Sequence, residues 1–223
     1  MSRVIIFGTS EFSKLMRWYV EHDSGRTVVG FAANETHIKE NEFYGLPVFS
    51  FEKLSSYFHS DEFEVLVTAG YSDMNELRKR IFTECRARGY AIASFVHSTV
   101  INRADRIGIG NILLENVRLD PFCCLGDGNI LMSDSKIGHE ATIGDYNFIS
   151  GDVRTGGNVS IGDNCFIGMR STIKDGISIG DKTLIGAATY VSKNSEKDSV
   201  IISQDSRVLP AKSSLVMRAA RIT

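Results

Sequence analysis

From Ile107 to Val191 an aliphatic side chain returns at every sixth residue without a slip in register. The series runs through Leu113, Leu119, Leu125, Leu131, Ile137, Ile143 and Ile149, then Ile161, Ile167, Ile173, Ile179 and Ile185. Fourteen of its fifteen positions hold Ile, Leu or Val, and Thr155 alone does not. Such residues make up roughly a quarter of an ordinary chain, so chance does not produce this run. Glycine follows the hexad position at nine of the steps, Thr155 included, and the fourth residue after it is mostly small, as at Cys123, Ser135, Ala141 and Ser171. A period of six fits neither an α-helix nor a lone alternating strand. It predicts a left-handed parallel β-helix of hexapeptide repeats, each hexad forming one flat face of a triangular prism and three hexads closing a coil. The aliphatic points inward, the small residue sits near the corner, and glycine is expected to free the backbone to turn there. Fifteen hexads make about five coils.

The first 95 residues follow another pattern. Residues 3–7 and 27–31 read as buried strands, and 10–22 as a helix with Phe12, Leu15, Met16 and Tyr19 on one face. A short segment at 46–49, a helix over 51–58, a strand at 64–68, a charged helix over 72–88 and a strand at 91–95 follow. Alternating strands and helices imply a small Rossmann-like α/β domain around a parallel sheet. The chain therefore divides into an α/β substrate domain (1–95), a β-helix (96–194) and a capping tail (195–223) that carries Leu209, Pro210, Ala211 and Lys212 before an amphipathic stretch.

Charge and cysteine content narrow the function classes. The 25 basic and 27 acidic residues give a net charge of -2, which is no footprint for nucleic acid or an anionic membrane surface. No run of about 18 uncharged apolar residues exists to span a bilayer. The apolar run near the N-terminus is too short for a signal-peptide core, and the four cysteines lack CxxC spacing, so the expectation is a cytoplasmic protein with reduced thiols.

A small α/β domain followed by a hexapeptide β-helix with Ile-Gly-His-Glu-Ala-Thr-Ile-Gly-Asp at 137–145 resembles the PglD/NeuD-type sugar acyltransferases over essentially the whole chain. The resemblance implies a homotrimer that transfers an acetyl group from acetyl-CoA to an amine or hydroxyl of a sugar. Many such sugars are nucleotide-linked and destined for surface glycans. Acyl transfer needs a base for the departing proton and donors for the developing oxyanion. Among the histidines only His97 and His139 lie in or beside the β-helix. His139, third in its hexad, faces outward and by resemblance matches the catalytic base, with Glu140 as the carboxylate that orients it. His97, at the domain junction, is expected to be structural.

Asn147 stands where the family often has a histidine that meets the acetyl carbonyl. Asn111, Asn129 and Asn147 are also 18 residues apart, so a stacked amide ladder and a carbonyl donor are both open. By resemblance the Gly157 amide meets the acetyl carbonyl, while Met169 and Ala187 line the pantetheine arm; a flexible corner at Gly156–Gly157 is the other reading. The turn Gly8-Thr9-Ser10 after the first strand matches the family's nucleotide-binding loop. It holds one glycine and then Glu11 where phosphate would approach, and no acidic pair follows the second strand. The domain then binds a different nucleotide-sugar, another acceptor, or nothing. A zinc hydratase on the same fold needs three converging histidines and the β-helix offers at most two, so no metal is expected. The alternative function is a non-catalytic trimeric binding or scaffold protein. The acceptor, N- versus O-transfer and the acyl group stay open.

Overall fold

The computed structural model describes residues 3–204 together with Lys212 and Ser213. Ile112, Ile130, Phe148, Phe166 and Leu184 stack in parallel register at intervals of 18, and two further columns do the same. The three columns are the faces of a prism. The first face contains Ile130–Leu131 and Phe148–Ile149, the second Lys136–Ile137 and Arg154–Thr155, the third Thr142–Ile143 and Ser160–Ile161. From Leu113 to Val191 the hexad residues are buried, as are the fourth residues after them as far as Thr189, so two inward side chains per hexad fill the prism, and Ile107 packs partly buried at its end.

The prism is longer than the repeat. It begins at Phe95–Val96, which pair with Ile112–Leu113, and it continues through a bridge between Ile179 and Ser195 to Val200–Ile201. The expected boundaries at 96 and 194 therefore fall inside it, and the tail starts after Ile201. Hexad counting misses these ends because the first coil is one residue short, so that Leu119 pairs with Asn102 and Leu113 with Val96, and because the last step, from Leu184 to Val200, is two residues short. The segment at 209–212 and the amphipathic stretch, apart from Lys212 and Ser213, lie outside the described residues.

Glycine plays a different part from the one expected. The left-handed corner residue is the third after the aliphatic, and it is usually not glycine: Asn116, Glu140, Asp152, Asn158 and Arg170 all have positive φ. The glycines next to the aliphatics are needed for close stacking instead. A β-carbon on Gly144 would lie 2.3 Å from Oδ1 of Asp163 in the next coil. That carboxylate accepts the Asp145 N–H at 2.7 Å, and Asp127, Asp145 and Asp181 repeat the contact along the same corner.

In the N-terminal domain β1 (Arg3–Phe7), α1 (Glu11–His22), β2 (Thr27–Ala33), β3 (Glu42–Phe43), β4 (Leu46–Ser50), α2 (Leu54–Tyr57), β5 (Phe63–Val67), α3 (Glu76–Ala87) and β6 (Ala91–Ile92) follow in order. The sheet order is β3-β4-β2-β1-β5-β6, parallel except for the β3–β4 hairpin. Helix α1 buries Ser13, Met16, Tyr19 and Val20, while Leu15 is exposed. Helix α3 starts only at Glu76, because Asp73, Met74 and Asn75 form a left-handed turn. The expected strand at 91–95 splits, Ala91–Ile92 closing this sheet and Phe95–Val96 opening the prism.

The α/β domain covers the first face. Outward residues there are apolar, and Ile112, Ile130 and Phe148 share one core with Val4, Met16, Phe31 and Leu66. The second face carries Arg118, Lys136 and Arg154 in the corresponding places. Arg78 fastens the joint. Fully buried, it donates to the carbonyls of Ala69, Gly70, Gly128, Tyr146 and Asn147, so it ties α3 and the loop after β5 to two coils.

Candidate active site

His139 sits at the corner where the second face turns into the third, on the hexad step from Ile137 to Ile143. Its side chain and that of Glu140 are both more than half exposed, and Nδ1 lies 3.0 Å from Glu140 Oε2. Glu140 is the left-handed corner residue, φ 57°, which turns its carboxylate back beside the ring. With Nδ1 protonated and donating to the carboxylate, Nε2 keeps its lone pair for an incoming proton.

One coil further on, 18 residues along, Gly157 lies against the ring. A β-carbon there would be 2.4 Å from Cε1 and from Nε2 of His139. Its φ is not in the left-handed region, so glycine is needed for space and not for the turn, which corrects the flexible-corner reading. Among the described residues the Gly157 N–H meets no acceptor. Thr155, the one break in the aliphatic series, is also explained here. Its hydroxyl accepts the Gly138 N–H at 2.9 Å, where the other coils use a backbone carbonyl. Sequence reasoning had the signal, a polar residue in an apolar column, without the partner.

Asn147 belongs to the ladder. Its N–H donates to Asn129 Oδ1 at 2.8 Å, its own Oδ1 accepts the Cys165 N–H at 2.7 Å, and the Asn129 N–H reaches Asn111. The side chain is fully buried inside the prism, which removes it from any surface where an acyl oxygen or acceptor could sit. Its Nδ2 has no partner among the described residues.

Met169 and Ala187 are exposed and stack on the corner between the first and second faces, joined by the Ala188 N–H to the Met169 carbonyl at 2.8 Å. They therefore stand at the opposite edge of the second face from His139, and one chain does not bring them together. Gly8, φ 130°, makes room for a 2.8 Å hydrogen bond between the hydroxyls of Ser13 and Thr68. Ser10 caps α1, its hydroxyl accepting the Ser13 N–H at 3.3 Å, so the helix start is satisfied by its own side chain with Glu11 in the first turn. Only Thr9 of this turn lines the neighbouring cleft, about 290 Å³, together with His37, Lys39, Glu40, Glu42 and Phe43. That cleft belongs to the domain on the first face, opposite the His139 corner.

His97 packs edge-on against Tyr19 and shares Asp23 with Ser98, a structural joint as expected. Burial pushes the thiols of Cys123 and Cys165 up to about 11, so both are inert packing groups. Among the described residues no three His, Cys, Asp or Glu side chains are grouped to hold a metal, and no helix is long and apolar enough to cross a membrane.

A repeat family described as the hexapeptide repeat of succinyl-transferase matches residues 158–193. No curated protein matches the chain in sequence. Among solved structures, the acetyltransferase domain of PglB from Neisseria gonorrhoeae superposes with a TM-score of 0.80 at 18% identity, over 94% of this chain and 100% of that one. PerB from Caulobacter crescentus, solved with CoA and GDP-perosamine, gives 0.81 at 20% identity over 91% and 95%. WeeI from Acinetobacter baumannii gives 0.81 at 20% identity over 94% and 100%. In fold, an α/β domain set before a left-handed β-helix, the chain matches the PglD/NeuD-type sugar acyltransferases that its repeat and its Gly-His-Glu hexad resemble.

Proposed function

We propose that the protein is an acetyl-CoA-dependent acyltransferase acting on an amine or hydroxyl of a nucleotide-linked sugar in surface-glycan biosynthesis. The observation that carries this reading is the His139–Glu140 pair, exposed at a prism corner with Nε2 unencumbered and Gly157 clearing space beside it. His139 Nε2 takes the proton from the acceptor as its nitrogen or oxygen attacks the thioester carbonyl. The tetrahedral oxyanion is met by the free Gly157 N–H. The intermediate collapses by expelling the CoA thiolate, which recovers the proton from the imidazolium, and Glu140 stabilises that cation meanwhile.

The site is completed by a second copy. His139 stands at one edge of the second face, Met169 and Ala187 at the other, and the acceptor cleft lies on the far side of the prism. A threefold ring brings the Met169–Ala187 corner and the α/β cleft of a neighbour to the His139 corner, forming three equal grooves. PerB and PglB, which share this fold, are solved with CoA and a nucleotide-sugar and with acetyl-CoA, which supports the choice of substrates.

The test is release of free thiol from acetyl-CoA against a panel of nucleotide-linked amino sugars, together with thermal protection by acetyl-CoA, which linkage demands of any true ligand. Thiol release that depends on one acceptor is the expected result. Neither release nor protection would leave the scaffold reading.

A further inference from the structure

Four contacts reach the His139 turn from one short stretch of the next coil, residues 155–158. Thr155 Oγ1 accepts the Gly138 N–H at 2.9 Å, in place of the carbonyl that serves this bond elsewhere. Gly157 leaves the volume that the imidazole occupies. Asn158 Nδ2 donates at 3.4 Å to Glu140 Oε2, the same oxygen that faces His139 Nδ1, while the Asn158 N–H holds the His139 carbonyl at 2.9 Å. The turn is thus gripped before the histidine, beside it and beyond it.

Neither polar residue is there for the repeat. An aliphatic at 155 would continue a column that otherwise fills the prism. Asn158 is exposed with φ 55°, a corner where glycine serves equally well, as at Gly176 one coil later. Resting on the acyltransferase reading of His139, we propose that Thr155 and Asn158 are positioning residues: Thr155 fixes the backbone entering His139, and Asn158 fixes the Glu140 carboxylate. Together they hold the ring as its Nδ1–H tautomer, with Nε2 directed outward.

Two substitutions that keep the fold separate this role from a structural one. Asn158→Gly relaxes the left-handed corner and is expected to melt near the wild-type temperature. Thr155→Val restores the apolar column but leaves the Gly138 N–H without its acceptor, two opposing effects that are expected to leave it folded with a melting temperature at or a few degrees below wild type. In protein labelled with ¹⁵N-histidine, the His139 ring nitrogens of the wild type should report the Nδ1–H tautomer, and both variants should show a larger Nε2–H fraction. This readout needs no acceptor. With an accepted nucleotide-sugar, turnover should fall about 3- to 10-fold, the effect of one lost hydrogen bond, while the KM for acetyl-CoA stays put. Asn158→Gly should add nothing in a Glu140→Gln background, because Asn158 acts through that carboxylate. Unchanged tautomer populations in both variants would overturn the proposal. Full turnover in His139→Ala would instead remove the base, and this assignment of roles with it.

Discussion

An imidazole acts as a base only if one nitrogen is protonated and held while the other faces the substrate, and the Glu140 carboxylate provides that hold. Glu140→Gln keeps the shape but loses the charge that stabilises imidazolium, so steady-state kinetics should place its turnover between wild type and His139→Ala. Gly157→Ala is expected to be more damaging than its size suggests. The added methyl lies 2.4 Å from Nε2, so the ring must swing away from Glu140. Because the backbone at 157 is not left-handed, melting temperature should change little while turnover falls by about 10-fold or more. The His139–Glu140 pair was legible in the sequence through its hexad and its resemblance. Thr155 and Asn158 were not, since their meaning depends on contacts one coil away.

At the scale of the element, a coil of 18 residues turns sequence columns into ladders. The hexad aliphatics declare the prism by hydrophobicity alone. The Asp127–Asp181 column and the Asn111–Asn147 column carry the same period in polar residues, and both prove to bind the backbone of the adjacent coil. What hexad spacing does not reveal is which residue turns the corner. The left-handed position falls on Asn116, Phe122, Glu140 or Tyr146 alike, because coil stacking overrides the local preference for glycine. Asn147→Ala should leave a buried Cys165 N–H without its acceptor, a loss of about 1–3 kcal/mol. For a chain of this size each kcal/mol corresponds to roughly 2–4 °C in Tm, so calorimetry should register the change while turnover stays near wild type. A loss of turnover without a loss of Tm would return Asn147 to the site.

At the scale of the molecule, the apolar outer residues of the first face fix where the α/β domain docks, and Arg78 locks it there. The signal was present in the sequence as an apolar residue before every third aliphatic, at 112, 130, 148, 166 and 184, but the outward side of a repeat is easily taken for surface. With the first face covered, the His139 corner stands on the uncovered side of the prism, where the proposed function needs a neighbouring copy. Sedimentation at micromolar concentration should show a trimer. His139→Ala and Ala187→Trp should each cut transfer steeply, the second by filling the groove wall. Unfolded together and reassembled, they should regain activity, since a mixed trimer pairs an intact His139 corner from one copy with an intact groove wall from the other. Recovery would be absent if each chain formed its own site. His139 as the base is tested most directly by acetyl transfer from acetyl-CoA to the accepted nucleotide-sugar in the His139→Ala protein. Turnover should drop by about 10²–10⁴-fold while acetyl-CoA affinity is nearly unchanged, because the ring and not the cofactor groove has been removed. Turnover close to wild type would contradict it.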